Sequence, residues 1–204
     1  MSPERDKSPN SSLTTENPDR ATPSTMVKDR LVNNIQPERV YWITGLSGSG
    51  KTTIGQELQR RLRKNEQSVL FLDGDNLRKA FSAGLGYSAA DRRSVCMRNA
   101  RICKMLSDQG TQVICATICL LNEVQNWNRE NIPFYREILL QAPMEVLSSR
   151  KDIYRRATRG EVTNVVGVDL PANFPKDPHC TVENDGSYTP SEVVDFLISE
   201  LSLI

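Results

Sequence analysis

The sequence predicts an α/β fold in which a mainly parallel β-sheet carries helices on both faces. Short runs of apolar and β-branched residues alternate along the chain with longer segments whose apolar residues recur at helical spacing. Strands that are separated by helices need crossover connections, and such connections give a parallel sheet covered on both sides. A glycine-rich loop between the first strand and the first helix is the second observation.

The individual elements follow from these patterns in chain order. The first strand covers 40–44, and the helix over 52–62 places Ile54, Leu58 and Leu62 on one face. The other predicted elements are a strand over 68–72, a helix over 91–109, a strand over 113–118, a helix over 124–131, a strand over 135–141, a helix over 143–150, a strand over 180–183 and a helix over 191–202. Residues 73–78 are predicted as a loop.

The chain divides into a tail and one domain. Residues 1–36 are rich in Ser, Thr, Pro, Asn and charge, so they lack the apolar surface that would offset the entropy of ordering, and we expect a disordered tail. A transit peptide is disfavoured because such peptides are poor in the acidic residues that occur here. Residues 37–204 are predicted to form one domain, a size sufficient for a well-buried core.

Composition argues against several functional classes. The formal net charge of +1 lacks the basic excess of a nucleic-acid surface, so no nucleic-acid partner is expected. No apolar stretch approaches the roughly 18 to 20 residues that span a bilayer, so we expect no membrane association and a cytoplasmic protein. The five cysteines lack paired CxxC spacing, which predicts free thiols. His179, the single histidine, is not expected to be catalytic.

The glycine-rich loop has the composition of a triphosphate cradle. It reads Gly45-Leu46-Ser47-Gly48-Ser49-Gly50-Lys51-Thr52-Thr53 between a predicted strand and a predicted helix. Glycines let the backbone N–H groups approach phosphates, and the helix N-terminus adds partial positive charge. Lys51 should reach the β- and γ-phosphates of ATP, and the Thr52 hydroxyl should ligate Mg²⁺. The sequence therefore predicts a P-loop NTPase fold.

Further signals favour a kinase over other proteins with this loop. An Asn-Lys-x-Asp motif for guanine recognition is absent after the late strands, which weakens a GTPase interpretation. The second strand ends at Asp73, with Asp75 and Arg78 close behind. Carboxyl ends of parallel strands face the ligand crevice, so these residues should lie beside the phosphate loop. Two carboxylates there suit Mg²⁺ and an acceptor hydroxyl, and the arginine suits an anionic acceptor.

The motifs together resemble adenylylsulfate kinase. The resemblance rests on 42–53, on 73–78, on Leu85-Gly86-Tyr87-Ser88 and on Asp91-Arg92, and it extends from about Val40 to the C-terminus. It implies transfer of the ATP γ-phosphate to the 3′-hydroxyl of a small-molecule nucleotide acceptor, adenylylsulfate in the usual case. It also implies a homodimer.

The resemblance also implies roles for single residues. Lys51 and Asp73 would be catalytic, with Asp73 near Mg²⁺ and the attacking hydroxyl. Asp75, Arg78 and Arg92 would contact the acceptor, and Tyr87 stands where the family stacks an aromatic ring on the acceptor base. The segment containing Tyr154, Arg155 and Arg156 resembles the mobile lid, whose basic residues would close over the phosphates.

Three positions depart from the family pattern where the acceptor should bind. Val95 replaces an asparagine that contacts the phosphosulfate end, and Val165 replaces an aromatic residue of the base sandwich. Cys119 replaces a serine in the segment after the third strand. These changes leave two acceptors open: adenylylsulfate, or another nucleotide such as cytidine diphosphoramidate.

Two further classes stay open from the sequence. One is a sugar-acid or metabolite kinase on the same fold, and the other is an ATP-binding module without an acceptor. The residues Lys51, Thr52 and Asp73 argue against the second, because a binding module would not need all three.

Overall fold

The computed structural model describes residues 36–65 and 67–203, and the segment predicted to be a disordered tail lies outside them except for Gln36. Five strands form one sheet: β1 (Val40–Thr44), β2 (Val69–Asp73), β3 (Gln112–Ala116), β4 (Tyr135–Gln141) and β5 (Cys180–Glu183). All paired strands are parallel, in the order β2-β3-β1-β4-β5. The predicted parallel α/β sheet is confirmed.

Seven described helices accompany the sheet. They are α1 (Lys51–Lys64), α2 (Gly74–Phe81), α3 (Ala89–Ser107), α4 (Asn122–Asn131), α5 (Met144–Arg150), α6 (Ile153–Thr158) and α7 (Pro190–Glu200). None of the helices in the described part of the chain is long and apolar enough to cross a bilayer.

Strand β1 shows why the sheet needs both helical layers. Its five residues are all buried, as expected for a central strand covered on both faces. Side chains alternate along a strand, so Tyr41 and Ile43 pack on one face with α1 and α7, whereas Val40 and Trp42 pack on the other with α3 and α4.

Two helices near the site differ from the prediction. Residues 74–78, predicted as a loop, begin helix α2, because the Asp73 carboxylate accepts hydrogen bonds from the N–H groups of Asp75 (3.0 Å) and Asn76 (3.2 Å). Helix α6, in the lid segment, was not predicted because it is only one and a half turns long and mostly polar. The other elements agree with the prediction to within a few residues.

A buried carboxylate lies in the middle of strand β4. Glu137 is fully buried and pairs with Arg129 of α4. The Tyr135 hydroxyl donates to the same carboxylate at 3.1 Å, and the backbone N–H of Glu137 donates to Nδ1 of His179 at 3.1 Å. The single histidine therefore contacts this structural cluster.

Replacing Arg129 should make stability depend more strongly on pH. Burial raises the pKa of Glu137, so the folded state holds a proton on this carboxyl at higher pH than the unfolded chain, and stability falls as pH rises above the ordinary glutamate value. Without the Arg129 charge the raised pKa rises further. We expect Arg129→Met to cost about 3 kcal/mol of unfolding free energy at about pH 7.5 and clearly less at about pH 5, measured by urea unfolding.

Arg60→Met is the matched control, because Arg60 pairs with Glu57 on the surface. Its urea midpoint should stay near that of the unaltered protein at both pH values. Equal losses for Arg129→Met at the two pH values would contradict the role assigned to the buried carboxylate.

Candidate functional site

The glycine-rich loop connects the end of β1 to the start of α1. Gly50 precedes α1 with φ 93°, in the left-handed region that favours glycine. A Cβ at Gly50 would lie 2.3 Å from Nδ2 of Asn184, and a Cβ at Gly45 would lie 2.2 Å from the carbonyl oxygen of Leu140. The backbone fold of this loop therefore requires glycine at both positions.

Lys51 is held inside this loop. Its side chain is buried, and Nζ donates to the carbonyl oxygen of Leu46 at 2.7 Å. Burial lowers the lysine pKa to about 8, and the nearby carboxylates of Asp75 and Asp73 oppose that shift. A cation with few polar contacts is thus kept at the position where phosphate charge would arrive.

Thr52, in the first turn of α1, contacts Asp73, the last residue of β2. The Thr52 hydroxyl donates to Oδ2 of Asp73 at 2.7 Å, while Oδ1 of Asp73 caps helix α2. A hydroxyl beside a carboxylate supplies the hard oxygen donors that Mg²⁺ prefers, and this ion commonly takes its other ligands from water and substrate phosphates. The residues present therefore fit a magnesium ion.

A single cavity of about 850 Å³ joins the loop to the predicted acceptor residues. Its lining includes the loop residues Ser47 and Gly48 and Thr53 at the start of α1. The lining also includes Asp75, Arg78, Tyr87, Arg92, Val95 and Val165. Residues that are far apart in the sequence thus share one open space.

Two arginines lie against the Tyr87 ring. The guanidinium carbons of Arg78 and Arg92 are 4.5 and 5.3 Å from the ring centroid, within range of a cation–π contact. Burial, and secondarily the charge of Arg78, lowers the pKa of Arg92. Among residues 36–65 and 67–203 neither arginine forms an ion pair. This cluster can accept an anionic ligand next to an aromatic face.

Val95 and Val165 add apolar surface to the lining of the cavity, and each residue is buried, with 5% exposure. Asp169 fixes the second of them, because its carboxylate accepts from the N–H of Val165 at 2.6 Å. Arg92 reaches the same segment and donates to the carbonyl oxygen of Asn164 at 2.6 Å. Arg92 therefore links helix α3 to the 164–169 segment.

Cys119 does not contact the cavity, so its assignment to acceptor binding was wrong. The side chain is completely buried with Trp42, Cys96 and Val124 in the core between the sheet and helices α3 and α4. Burial raises the pKa of the thiol well above its usual range. Cys119 thus acts as a packing residue in this protein.

The lid segment is only partly placed as expected. Tyr154 is buried and its hydroxyl donates to the carbonyl oxygen of Ser47 in the loop, at 2.8 Å. Arg155 and Arg156 instead pair with Asp152 and Glu161 and do not line the cavity. Arg150 and Lys151, just before α6, are the basic residues next to this segment that line the cavity, together with Lys51, Arg78 and Arg92 from elsewhere in the chain.

Asn184 is a site residue that the sequence reasoning missed. It follows β5 directly, and its Nδ2 donates to the carbonyl oxygen of Ser49 at 2.8 Å. The tendency of parallel strands to end at the ligand crevice identifies this position after β5, as it identifies Asp73 at the end of β2. Arg150, at the end of α5, had no comparable sequence signal.

Comparisons with known proteins agree with this geometry. The family model described as adenylylsulphate kinase matches residues 38–183. A cytidine diphosphoramidate kinase of Campylobacter jejuni is 37% identical over 169 residues, which cover 80% of this chain and 96% of that protein. An adenylyl-sulfate kinase of Marinobacter nauticus is 34% identical over 177 residues, covering 85% of this chain and 88% of that protein.

The solved structures point in the same direction. The Mycobacterium tuberculosis APS kinase, in complex with AMPPNP and APS, superposes with a TM-score of 0.75 at 31% identity, covering 82% of this chain and 99% of that one. The predicted P-loop NTPase fold and the resemblance drawn from the motifs are both confirmed. The chain belongs to the adenylylsulphate kinase family.

Proposed function

We propose that this protein transfers the γ-phosphate of ATP to the 3′-hydroxyl of a small nucleotide. The observation that carries the proposal is that Lys51, Thr52 and Asp73 line the same cavity as Tyr87 and its two arginines. The first group suits a triphosphate and the second suits an anionic nucleotide, so donor and acceptor can meet without crossing bulk water.

Each residue contributes through binding, orientation or charge. Lys51 and the loop N–H groups hold the β- and γ-phosphates, and Asp73 lies where it can orient the acceptor hydroxyl and take up its proton. Thr52 and Asp73 would hold Mg²⁺, which supplies positive charge for the phosphates when bound. Arg78 and Arg92 bind the anionic end of the acceptor, and the Tyr87 face receives its base.

The acceptor is proposed to be adenylylsulfate or cytidine diphosphoramidate. Val165 leaves less stacking surface opposite Tyr87 than an aromatic residue would, and Val95 presents no hydrogen-bond donor. A smaller pyrimidine needs less stacking surface, and a phosphoramidate differs from a sulfate in the hydrogen bonds it makes. These two valines therefore support cytidine diphosphoramidate as a specific alternative to adenylylsulfate.

Substitution of Asp73 should affect the chemical step most strongly. We expect Asp73→Asn to lower kcat by about a hundredfold or more with either acceptor, because the amide cannot take up a proton. Coupled ADP release measures the rate, and Asp195→Asn on the surface of α7 is the control with unchanged activity. Full activity of Asp73→Asn would contradict the role proposed for this carboxylate.

The acceptor preference should respond to position 95. We expect Val95→Asn to raise kcat/KM for adenylylsulfate relative to cytidine diphosphoramidate by about fivefold, because one added hydrogen bond is worth about 1 kcal/mol. Val95→Ala removes bulk without adding a donor and serves as the control. An unchanged ratio in Val95→Asn would exclude this residue as a determinant of the acceptor.

Nucleotide affinity should weaken as Lys51 loses its proton. Its pKa is about 8, and bound phosphates favour the charged form, so the free protein must gain a proton to bind ADP at higher pH. We expect the Kd for MgADP to rise about tenfold between about pH 7 and about pH 9, measured by calorimetry.

Lys51→Met provides the comparison for that experiment. It should bind MgADP weakly at both pH values and lose the additional pH dependence that Lys51 causes. If the unaltered protein and Lys51→Met show the same pH slope, another group is responsible.

A further inference from the structure

The carbonyl oxygens of the phosphate loop are engaged one after another by side chains from three other parts of the fold. Tyr154 of α6 donates to the carbonyl oxygen of Ser47 at 2.8 Å. Arg150, at the end of α5, donates to that of Gly48 at 3.2 Å. Asn184, after β5, donates to that of Ser49 at 2.8 Å. Three consecutive peptide groups are thus held from outside the loop.

Peptide planarity gives these contacts a consequence for the other side of the loop. In a trans peptide the C=O of one residue and the N–H of the next point in opposite directions. Fixing the carbonyl groups of Ser47 and Ser49 therefore fixes the N–H groups of Gly48 and Gly50, both of which line the cavity. The N–H of the residue between them closes a turn to Leu46 at 3.2 Å.

The three side chains that hold the loop carbonyl groups, Tyr154, Arg150 and Asn184, are called braces below. Two of the braces are connected to each other, and they fit closely against the loop. Nη1 of Arg150 also donates to the carbonyl oxygen of Asn184 at 2.9 Å. One donor at the end of α5 thus contacts both Gly48 of the loop and the residue that follows β5. The space around Asn184 admits only glycine at position 50. Burial raises the pKa of Tyr154 to about 12, so its hydroxyl keeps its proton and remains a donor at neutral pH.

We propose that Tyr154 and Asn184 are positioning residues that turn two phosphate-loop peptide groups so that the N–H groups of Gly48 and Gly50 face the bound triphosphate, while Arg150 holds the peptide group between them. None of the three needs to touch the reacting atoms. They act through the loop backbone, which would otherwise adopt several orientations because of its glycines. The inference rests on the proposed nucleotide-binding role of this loop.

The test removes one brace at a time in the full chain. Tyr154→Phe deletes a single hydroxyl, and Asn184→Ala deletes the donor to Ser49. We expect each variant to raise the Kd for MgADP and the KM for ATP by about three- to tenfold, the worth of one hydrogen bond, while kcat and the KM for the acceptor change less than twofold. Amide hydrogen exchange over residues 46–52 should become faster in the absence of nucleotide.

Tyr135→Phe is the matched control. Its hydroxyl is also buried and hydrogen-bonded, but Tyr135 pairs with Val40 at the start of β1, whereas the loop follows the end of that strand. This variant should lower the melting temperature without changing MgADP affinity or exchange over residues 46–52. Asn184→Asp keeps the side-chain shape but turns an oxygen toward the Ser49 carbonyl, so its exchange should be at least as fast as that of Asn184→Ala.

The outcomes separate this inference from the proposed function. Exchange is measured without nucleotide, so it tests the braces even if the unaltered chain bound no MgADP, a result that would count against the proposed function instead. The proposal is overturned if Tyr154→Phe and Asn184→Ala alter exchange over residues 46–52 no more than Tyr135→Phe does. The two variants affect different peptide groups, so failure of one to fold leaves the other as a complete test.

Discussion

The parallel direction of all five strands is the constraint on which the site depends. Strands that run the same way end at the same edge, so the residues after β1, β2 and β5 are brought together there. Lys51, Asp73 and Asn184 each follow or end a different strand, and all three line the same cavity. An antiparallel neighbour would have carried one of them to the opposite edge.

Much of the donor half could be predicted from the sequence because its information is local. The loop from Gly45 to Thr52 is contiguous, and glycine, lysine and threonine each have one evident purpose beside a triphosphate. What could not be predicted depends on distant contacts. Cys119 follows a strand at the correct edge, yet its side chain is buried in the core. The sequence did not predict this orientation, because the direction of side chains beyond the end of β3 cannot be derived from spacing alone.

Helix α2 illustrates a second limit of sequence reasoning. A segment rich in Asp and Asn predicts a loop, since these residues favour turns. The same preference makes Asp73 a good helix cap, and the cap is what gives the following residues their helical form. Arg78 consequently projects from a fixed helix toward Tyr87, which a loop would not have ensured.

The double engagement of Asp73 has a consequence for how such an enzyme can diversify. One oxygen holds helix α2 and the other meets Thr52, so the carboxylate cannot be exchanged without disturbing both halves of the site. Val95 and Val165, by contrast, stand on α3 and on a separate loop, and neither side chain takes part in this engagement. Under the proposed function, substitutions at these two positions can alter the fit of an acceptor while Thr52 and Asp73 stay in place.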